Sequence, residues 1–208
     1  MNEETTLDRR RLLAGLAWGA AGAAGASAVG AVAVATPASA HPRRTVTYEV
    51  ACLLNTFTPV LPEGATDPET NFRGTSFFVE GELYRNGTIP DGATDFDPGS
   101  ASPIGHWLCR GWFINRTGRA GEEDRPLPHV ITTQEYLIDR IAPDALFPAE
   151  SLVSSGLEGG PGVATRAVIG GTGRYHGLTG DVLQHTIGAN LTGGPNFRFE
   201  FRLDQHHH

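Results

Sequence analysis

The sequence predicts an all-β domain in which roughly eight antiparallel strands form a closed barrel or a sandwich. Segments in which apolar and polar residues alternate recur along the chain from residue 44 onward, and a period of two is typical of half-buried strands. The connections between these segments are rich in Gly, Pro, Asn and Asp, which favour turns. Strands do not alternate with helical segments, so a parallel doubly wound sheet is not expected.

Eight segments show the strand pattern. The first, RTVTYEVACLL, places five side chains on one face: Val46, Tyr48, Val50, Cys52 and Leu54. It is followed by GTSFFVEGELYRNG, GHWLCRGWFIN, HVITTQEYLID, SLVSSGLEGG, VATRAVIGG and GDVLQHTIGAN. The last segment, NFRFEFRL, alternates most clearly, with one face formed by Phe197, Phe199, Phe201 and Leu203. Only the segment APDALFPAE could hold a helical turn.

Residues 1–40 have the pattern of an export signal. Three arginines at positions 9–11 precede an uncharged stretch rich in Ala and Gly, and Ala38–Ser39–Ala40 offers an A-x-A cleavage site. The paired arginines resemble the twin-arginine signal of bacteria. We therefore expect cleavage after Ala40, a domain at residues 41–208 in a secreted or extracytoplasmic location, and no stable membrane insertion. A retained membrane anchor is the alternative, since about 20 apolar residues can span a bilayer.

The charge and the histidine spacing bear on partners and cofactors. The chain carries a net charge of −7 and has no Lys, so nucleic acid, whose binding requires neutralised phosphates, is not an expected partner. Apart from the terminal run, the histidines at positions 106, 129, 176 and 185 show no H-x-H or H-E-x-x-H spacing, so no metal site is expected. The terminal run His206–His208 is either native or an added tag.

The chain has two cysteines, Cys52 and Cys109. Both fall in segments with the strand pattern. An exported protein can keep a disulfide, but this bridge requires neighbouring strands with suitable geometry. A disulfide and two buried thiols are both compatible with the sequence.

The segment IGGTGRYHG raises the choice between a phosphate-binding loop and a turn. Its glycines at positions 171, 173 and 177 are one residue too widely spaced for G-x-G-x-x-G, and a strand rather than a helix follows. Glycine permits the positive φ and close approach that a tight turn requires. We therefore predict a structural hairpin formed by Gly170, Gly171, Gly173, Tyr175 and Gly177.

The stretch RAVIGGTGRYHGLTGDV resembles the GGTG-x-aromatic hairpin shared by dirigent proteins and allene oxide cyclase-like barrels. The resemblance implies an eight-stranded antiparallel barrel that is often a homo-oligomer. It also implies a hydrophobic cavity that steers a reactive intermediate, by cyclisation or stereoselective coupling, without a cofactor. A barrel of this size can hold one small ligand, and its mouth is the expected site.

Two residues are candidates for catalysis. Glu49, in YEV, matches the position of a glutamate in the cyclase cavity, although Ala51 stands where the cyclases have Asn, and alternation puts Glu49 opposite the face of Tyr48 and Val50. Arg110 lies between two tryptophans and could bind an anionic ligand; an ion pair on the outer face is the alternative.

The predicted ligand pocket is aromatic. Its residues are Tyr48, Trp107, Phe113 and Tyr136, and Gln134 shares a face with Tyr136. The function predicted from all of this is the binding of a small hydrophobic molecule, with cyclase, isomerase or dirigent-like activity. A non-catalytic binding or structural protein of the same fold is the alternative, and the sequence leaves open whether the protein is an enzyme.

Overall fold

The computed structural model describes residues 43–64, 74–114, 130–138, 150–158 and 163–204. The predicted export signal at residues 1–40, most of APDALFPAE and the terminal His206–His208 lie outside these residues. Within them, no helix has the length and apolar character needed to cross a membrane.

The described part of the chain contains nine strands and two short 3-10 helices, Pro98–Ser100 and Gly173–Tyr175. The strands are β1 (Arg43–Val60), β2 (Ser76–Arg85), β3 (Ala93–Phe96), β4 (Gly105–Phe113), β5 (Val130–Ile138), β6 (Glu150–Glu158), β7 (Val163–Thr172), β8 (Thr179–Asn190) and β9 (Pro195–Asp204). The eight longer strands coincide with the eight predicted segments. The short β3 lies in a stretch that the sequence indicated only as a connection.

The eight longer strands close into an antiparallel barrel. Their order around the barrel is β8-β7-β6-β5-β4-β2-β1-β9, and β9 pairs with β8 to complete the ring. The prediction of a barrel is thereby confirmed, and the sandwich is excluded. The strand β3 lies outside the ring, parallel to the last residues of β8. Closure leaves the eight strands without a free edge.

The interior is defined by strand alternation. Tyr48 and Val50 of β1 point inward together with Phe199 and Phe201 of β9, as the sequence predicted, and all four are buried. The two ends of the barrel are named here by the ends of β5, as the Val130 end and the Ile138 end. At the Val130 end, Phe77 packs against Phe57 and Phe113, with ring centroids 5.5 and 5.3 Å apart.

The connection between β2 and β4, residues 86–104, crosses the outer face of the barrel. Beneath it lies a small second core of Ala51, Tyr84 and Ile89. The Tyr84 hydroxyl donates to the carbonyl of Pro98 at 2.7 Å, and the amide of Gly92 donates to the carbonyl of Ile187 at 2.7 Å. Part of the outer face of the barrel is therefore as well shielded from solvent as the interior.

The segment IGGTGRYHG connects the antiparallel strands β7 and β8 and closes the Ile138 end. Tyr175 is fully buried, and its hydroxyl lies 2.6 Å from that of Tyr48. Gly173 and Gly177 have φ angles of +58° and +72°, which side chains rarely adopt. A Cβ on Gly171 would lie 2.4 Å from the carbonyl oxygen of Ser151. A side chain at that position would therefore force the turn and the backbone of β6 apart.

We expect the variant Gly171→Val to lower the free energy of unfolding by roughly 2 kcal/mol or more, because its side chain would overlap backbone of β6. The melting temperature should then fall by roughly 5 °C. The control is Ile169→Ala on the same strand, where Ile169 is 56% exposed and a change within about 0.5 kcal/mol is expected. Equal melting temperatures for the two variants, measured by circular dichroism, would contradict the role given to Gly171.

Candidate functional site

The barrel interior has two walls of different chemistry. The strands β1, β2, β4 and β9 present mainly aromatic and aliphatic side chains to the interior. The strands β5 to β8 present a polar cluster, named here the interior polar wall: Thr132, Gln134, Tyr136, Ser154, Glu158, Arg166 and Gln184. Alternation along each strand produces this arrangement, because every second residue faces the interior. A ligand inside the barrel would contact both walls.

Arg166 is the cation of the interior polar wall. Its side chain is completely buried and forms an ion pair with Glu158. It also donates to the carbonyl oxygen of Thr132 at 3.2 Å and to the hydroxyl of Ser154 at 3.3 Å. A Cβ on Gly156 would lie 3.2 Å from Arg166, so the glycine gives the long side chain room to cross β6. Pairing and hydrogen bonding offset the cost of burying the charge.

Glu158 links the polar wall to the solvent. Its carboxylate accepts hydrogen bonds from Gln134 at 2.8 Å and from Gln184 at 3.0 Å, and Thr132 also donates to it. The Glu158 side chain is 14% exposed, whereas Arg166 is wholly buried. Glu158 ends β6 beside Val130, so the polar wall reaches solvent at the Val130 end.

Tyr136 joins the two walls. Its hydroxyl donates to Gln134 Oε1 at 2.5 Å. Its ring meets Phe199 and Phe201 edge to face, with centroids 5.0 and 4.8 Å away. These two rings belong to β9, on the far side of the barrel, so the contacts of Tyr136 cross the interior. Burial raises the pKa of the Tyr136 hydroxyl well above its ordinary value, and the group is a neutral hydrogen-bond donor.

The two cysteines are buried free thiols. They lie on β1 and β4, which are separated by β2. Burial raises the pKa of Cys52 to about 12, and it raises that of Cys109 well above its ordinary value. Both thiols are protonated at neutral pH and are poor nucleophiles.

The four predicted pocket residues all face the interior, but at different depths. Trp107 and Tyr136 are directly paired across β4 and β5 and lie near the middle. Phe113 lies at the Val130 end, in the aromatic cluster with Phe77. Tyr48 lies at the Ile138 end, where its hydroxyl is hydrogen-bonded to that of Tyr175. The structure therefore places Tyr136 in the interior polar wall, Trp107 next to it, and the other two near opposite ends of the barrel.

Glu49 is buried on the outer side of the barrel, beneath the connection between β2 and β4. Its carboxylate accepts from the backbone amides of Gly87 at 3.0 Å and Ile89 at 2.7 Å. Arg198 donates to the same carboxylate at 2.9 Å and also pairs with Asp91 at 2.6 Å. Glu49 thus fastens the connection to the barrel. Its predicted catalytic role stays a prediction, and the structure does not bring it to the interior polar wall.

Arg110 lies on the outer face of β4. Its side chain is 63% exposed and pairs with Glu135 of β5 at 3.0 Å. This is the outer-face ion pair that the sequence analysis gave as the alternative. The predicted catalytic role of Arg110 is not tested by this placement, but its side chain and the pocket residues lie on opposite faces of the sheet.

Sequence reasoning did not select Arg166, Glu158 or Gln184 for the site. A signal was present in the sequence. Arg166 lies two positions from Ala164 and from Val168, and Gln184 lies two positions from Val182, so each polar residue shares a strand face with apolar residues. A polar residue at an inward position of a barrel strand must find a polar partner across the interior. Applied to every strand, this rule selects the arginine and the glutamine as inward polar residues, but it does not identify the partners that closure of the barrel brings to them.

Among the described residues, no group of three His, Cys, Asp or Glu side chains could hold a metal ion. The sequence matches no protein-family model, and no curated protein matches it.

The fold is similar to those of solved dirigent proteins. The pterocarpan synthase dirigent protein GePTS1 has a TM-score of 0.55 and is 12% identical, over 83% of this chain and 91% of its own. The pterocarpan synthase dirigent protein PsPTS1 also has a TM-score of 0.55 and is 10% identical, over 80% and 97%. A Diels–Alderase, AbmU from Streptomyces koyangensis, is 8% identical over 81% and 70%, with a TM-score of 0.45.

The chain therefore has the barrel fold of the dirigent and allene oxide cyclase-like proteins, which confirms the fold that the sequence resemblance implied. At such low identity the similarity establishes the fold alone.

We expect Glu49→Gln to lower the free energy of unfolding by about 2–4 kcal/mol, because it removes the charge of a buried pair and one of its acceptor oxygens. The matched control is Glu135→Gln, which breaks the exposed pair with Arg110 and should cost less than about 1 kcal/mol. Denaturant titration measures both. Normal stability together with lost turnover in Glu49→Gln would instead support the catalytic role.

We expect Arg166→Met to destabilise the barrel by about 3 kcal/mol, because Glu158 would remain in the interior without its cation. The double variant Arg166→Met/Glu158→Gln removes both charges and should recover at least half of this loss. Denaturant unfolding of both single variants and the double variant completes the cycle. Strictly additive losses would show that the two side chains are not coupled.

Proposed function

We propose that this protein is an exported β-barrel that holds a small, largely hydrophobic metabolite in its interior and guides the cyclisation or stereoselective coupling of that molecule without a cofactor. The observation that carries the proposal is the division of the interior into two walls: the apolar side chains of β1, β2, β4 and β9, called the aromatic wall, and the interior polar wall of β5 to β8. The first provides apolar contact for a ring system, and the second provides a small number of fixed polar groups. This combination is typical of small-molecule sites.

The chemistry of the polar wall supports catalysis. The Tyr136 hydroxyl is neutral and is held in place by the hydrogen bond that it donates to Gln134, and the Arg166–Glu158 pair places opposite charges in a desolvated space. Fixed dipoles and charges in such a space can stabilise charge that develops during a reaction. The protonated thiols of Cys52 and Cys109 would also resist reaction with an electrophilic intermediate.

Non-catalytic binding is the second candidate function, and a specific observation favours it. The polar groups around Arg166 already bond to one another, so they can stabilise a binding cavity without taking part in a reaction. The variant Tyr136→Phe separates the two candidates. This variant retains the ring and removes the hydroxyl. If the protein is an enzyme, the variant should still bind the molecule but no longer convert it. If the protein only binds the molecule, neither the unchanged protein nor the variant should convert it.

The test is native mass spectrometry of the protein purified from the extracytoplasmic fraction of a bacterium that exports it. We expect a chain of residues 41–208 that carries a non-covalently bound organic molecule, and the same spectrum gives the number of subunits. A chain that retains residues 1–40 would contradict cleavage of the signal and support the retained membrane anchor. A cleaved chain that retains no molecule, and takes up none from an extract of the host, would leave a filled barrel with a structural role.

A further inference from the structure

Among the described residues, one buried side-chain donor of the barrel has no hydrogen-bond partner. Trp107 is 2% exposed, and no acceptor among the described residues lies within hydrogen-bonding reach of its indole Nε1. The other buried side-chain atoms for which the described structure shows no hydrogen bond are carboxylate oxygens of Glu82, Glu150 and Asp181. Each belongs to a partly exposed residue, and the oxygens of Glu82 and Glu150 each face a basic side chain at ion-pairing distance. Trp107 Nε1 is thus the one buried side-chain donor without a hydrogen bond among the described residues.

The indole is held inside the barrel by its surroundings. The ring of Trp107 lies 6.0 Å from that of Phe197 and 6.4 Å from that of Phe199, both on β9. Because β2 and β1 separate β4 from β9, these contacts pass through the interior. A Cβ on Gly81 would lie 2.9 Å from the indole ring, so the absence of a side chain there lets the ring lie against β2. The unpaired donor therefore belongs to the aromatic wall.

The charges of the interior polar wall balance. Arg166 is its one cation and Glu158 its one anion, and the two are paired. An anionic ligand would have to compete with Glu158 for Arg166 and would leave an excess negative charge in a desolvated space, which is costly. A neutral ligand leaves the pair intact.

We propose that the molecule bound in the barrel is a neutral, planar organic compound that presents a carbonyl or comparable acceptor oxygen to the indole N–H of Trp107. A buried donor without an acceptor is costly, so a ligand that supplies one gains that energy on binding. The rings of Phe197 and Phe199 provide apolar contact for its planar body. This inference rests on the proposed function, because it specifies the chemical class of the ligand in the same interior.

The experiment uses three probes of matched shape: 2-acetylnaphthalene has a carbonyl acceptor, 2-ethylnaphthalene has none, and 2-naphthoate is anionic. Binding to the purified exported protein is measured by calorimetry, and ¹H–¹⁵N spectra report the indole N–H groups. After cleavage only Trp107 and Trp112 remain. The variant Trp112→Phe assigns the Trp107 signal and is the matched control, since Trp112 is 50% exposed on the same strand.

We expect 2-acetylnaphthalene to bind roughly tenfold or more tightly than 2-ethylnaphthalene and to shift the Trp107 indole proton downfield. The preference should disappear in Trp107→Phe and persist in Trp112→Phe, with folding of both variants checked by near-ultraviolet circular dichroism. If Trp107→Phe does not fold, the proton shift in Trp112→Phe decides the question.

Three results would overturn the proposal. Equal binding of the two neutral probes without a shift of the indole proton would refute the acceptor while leaving the proposed function in place. Tighter binding of 2-naphthoate would refute the neutral ligand. Failure of all three probes to bind would remove the planar ligand class, and only an empty protein in native mass spectrometry would then also remove the proposed function.

Discussion

The pairing of β8 with β9 is the constraint on which the rest of this structure depends. It closes the sheet into a ring of eight strands, and closure gives every strand one face toward a common interior and one toward the outside. A ring of eight strands encloses a space that side chains can fill or that one small molecule can share with them. The size and polarity of each inward side chain must therefore suit the side chains across the ring as well as its neighbours on the sheet.

This requirement explains why the inward polar side chains are grouped on one side of the barrel. A single polar side chain among the aromatic residues of β1, β2, β4 and β9 would lack a partner and would cost free energy. Placed on four consecutive strands, β5 to β8, the polar residues satisfy one another, with Arg166 and Glu158 at their centre. Trp107 departs from this rule, since its indole N–H is buried among the described residues without an acceptor. Departures of this kind are concentrated at functional sites.

The strands and their faces could be predicted from the sequence, because alternation is a local property that each segment carries by itself. The fold of IGGTGRYHG could be predicted for the same reason, since glycine spacing and the strand that follows exclude a phosphate loop. The polar wall could not be assembled in this way. Arg166 bonds to Thr132 across 34 positions of the chain and Gln134 to Gln184 across 50, and only closure of the ring brings such residues together.

Glu49 and Glu158 show why burial alone does not identify a site. Both are carboxylates that pair with an arginine, and the completely buried Glu49 is less exposed than Glu158. The partners of Glu49 include two backbone amides of a connection that crosses the outside of the barrel, and no sequence pattern indicates that a backbone amide will lie there. The partners of Glu158 are side chains that face the interior beside Tyr136. A ligand inside the barrel could reach only the second carboxylate, so the face of the strand, more than the burial of the residue, decides which glutamate can take part in binding or chemistry.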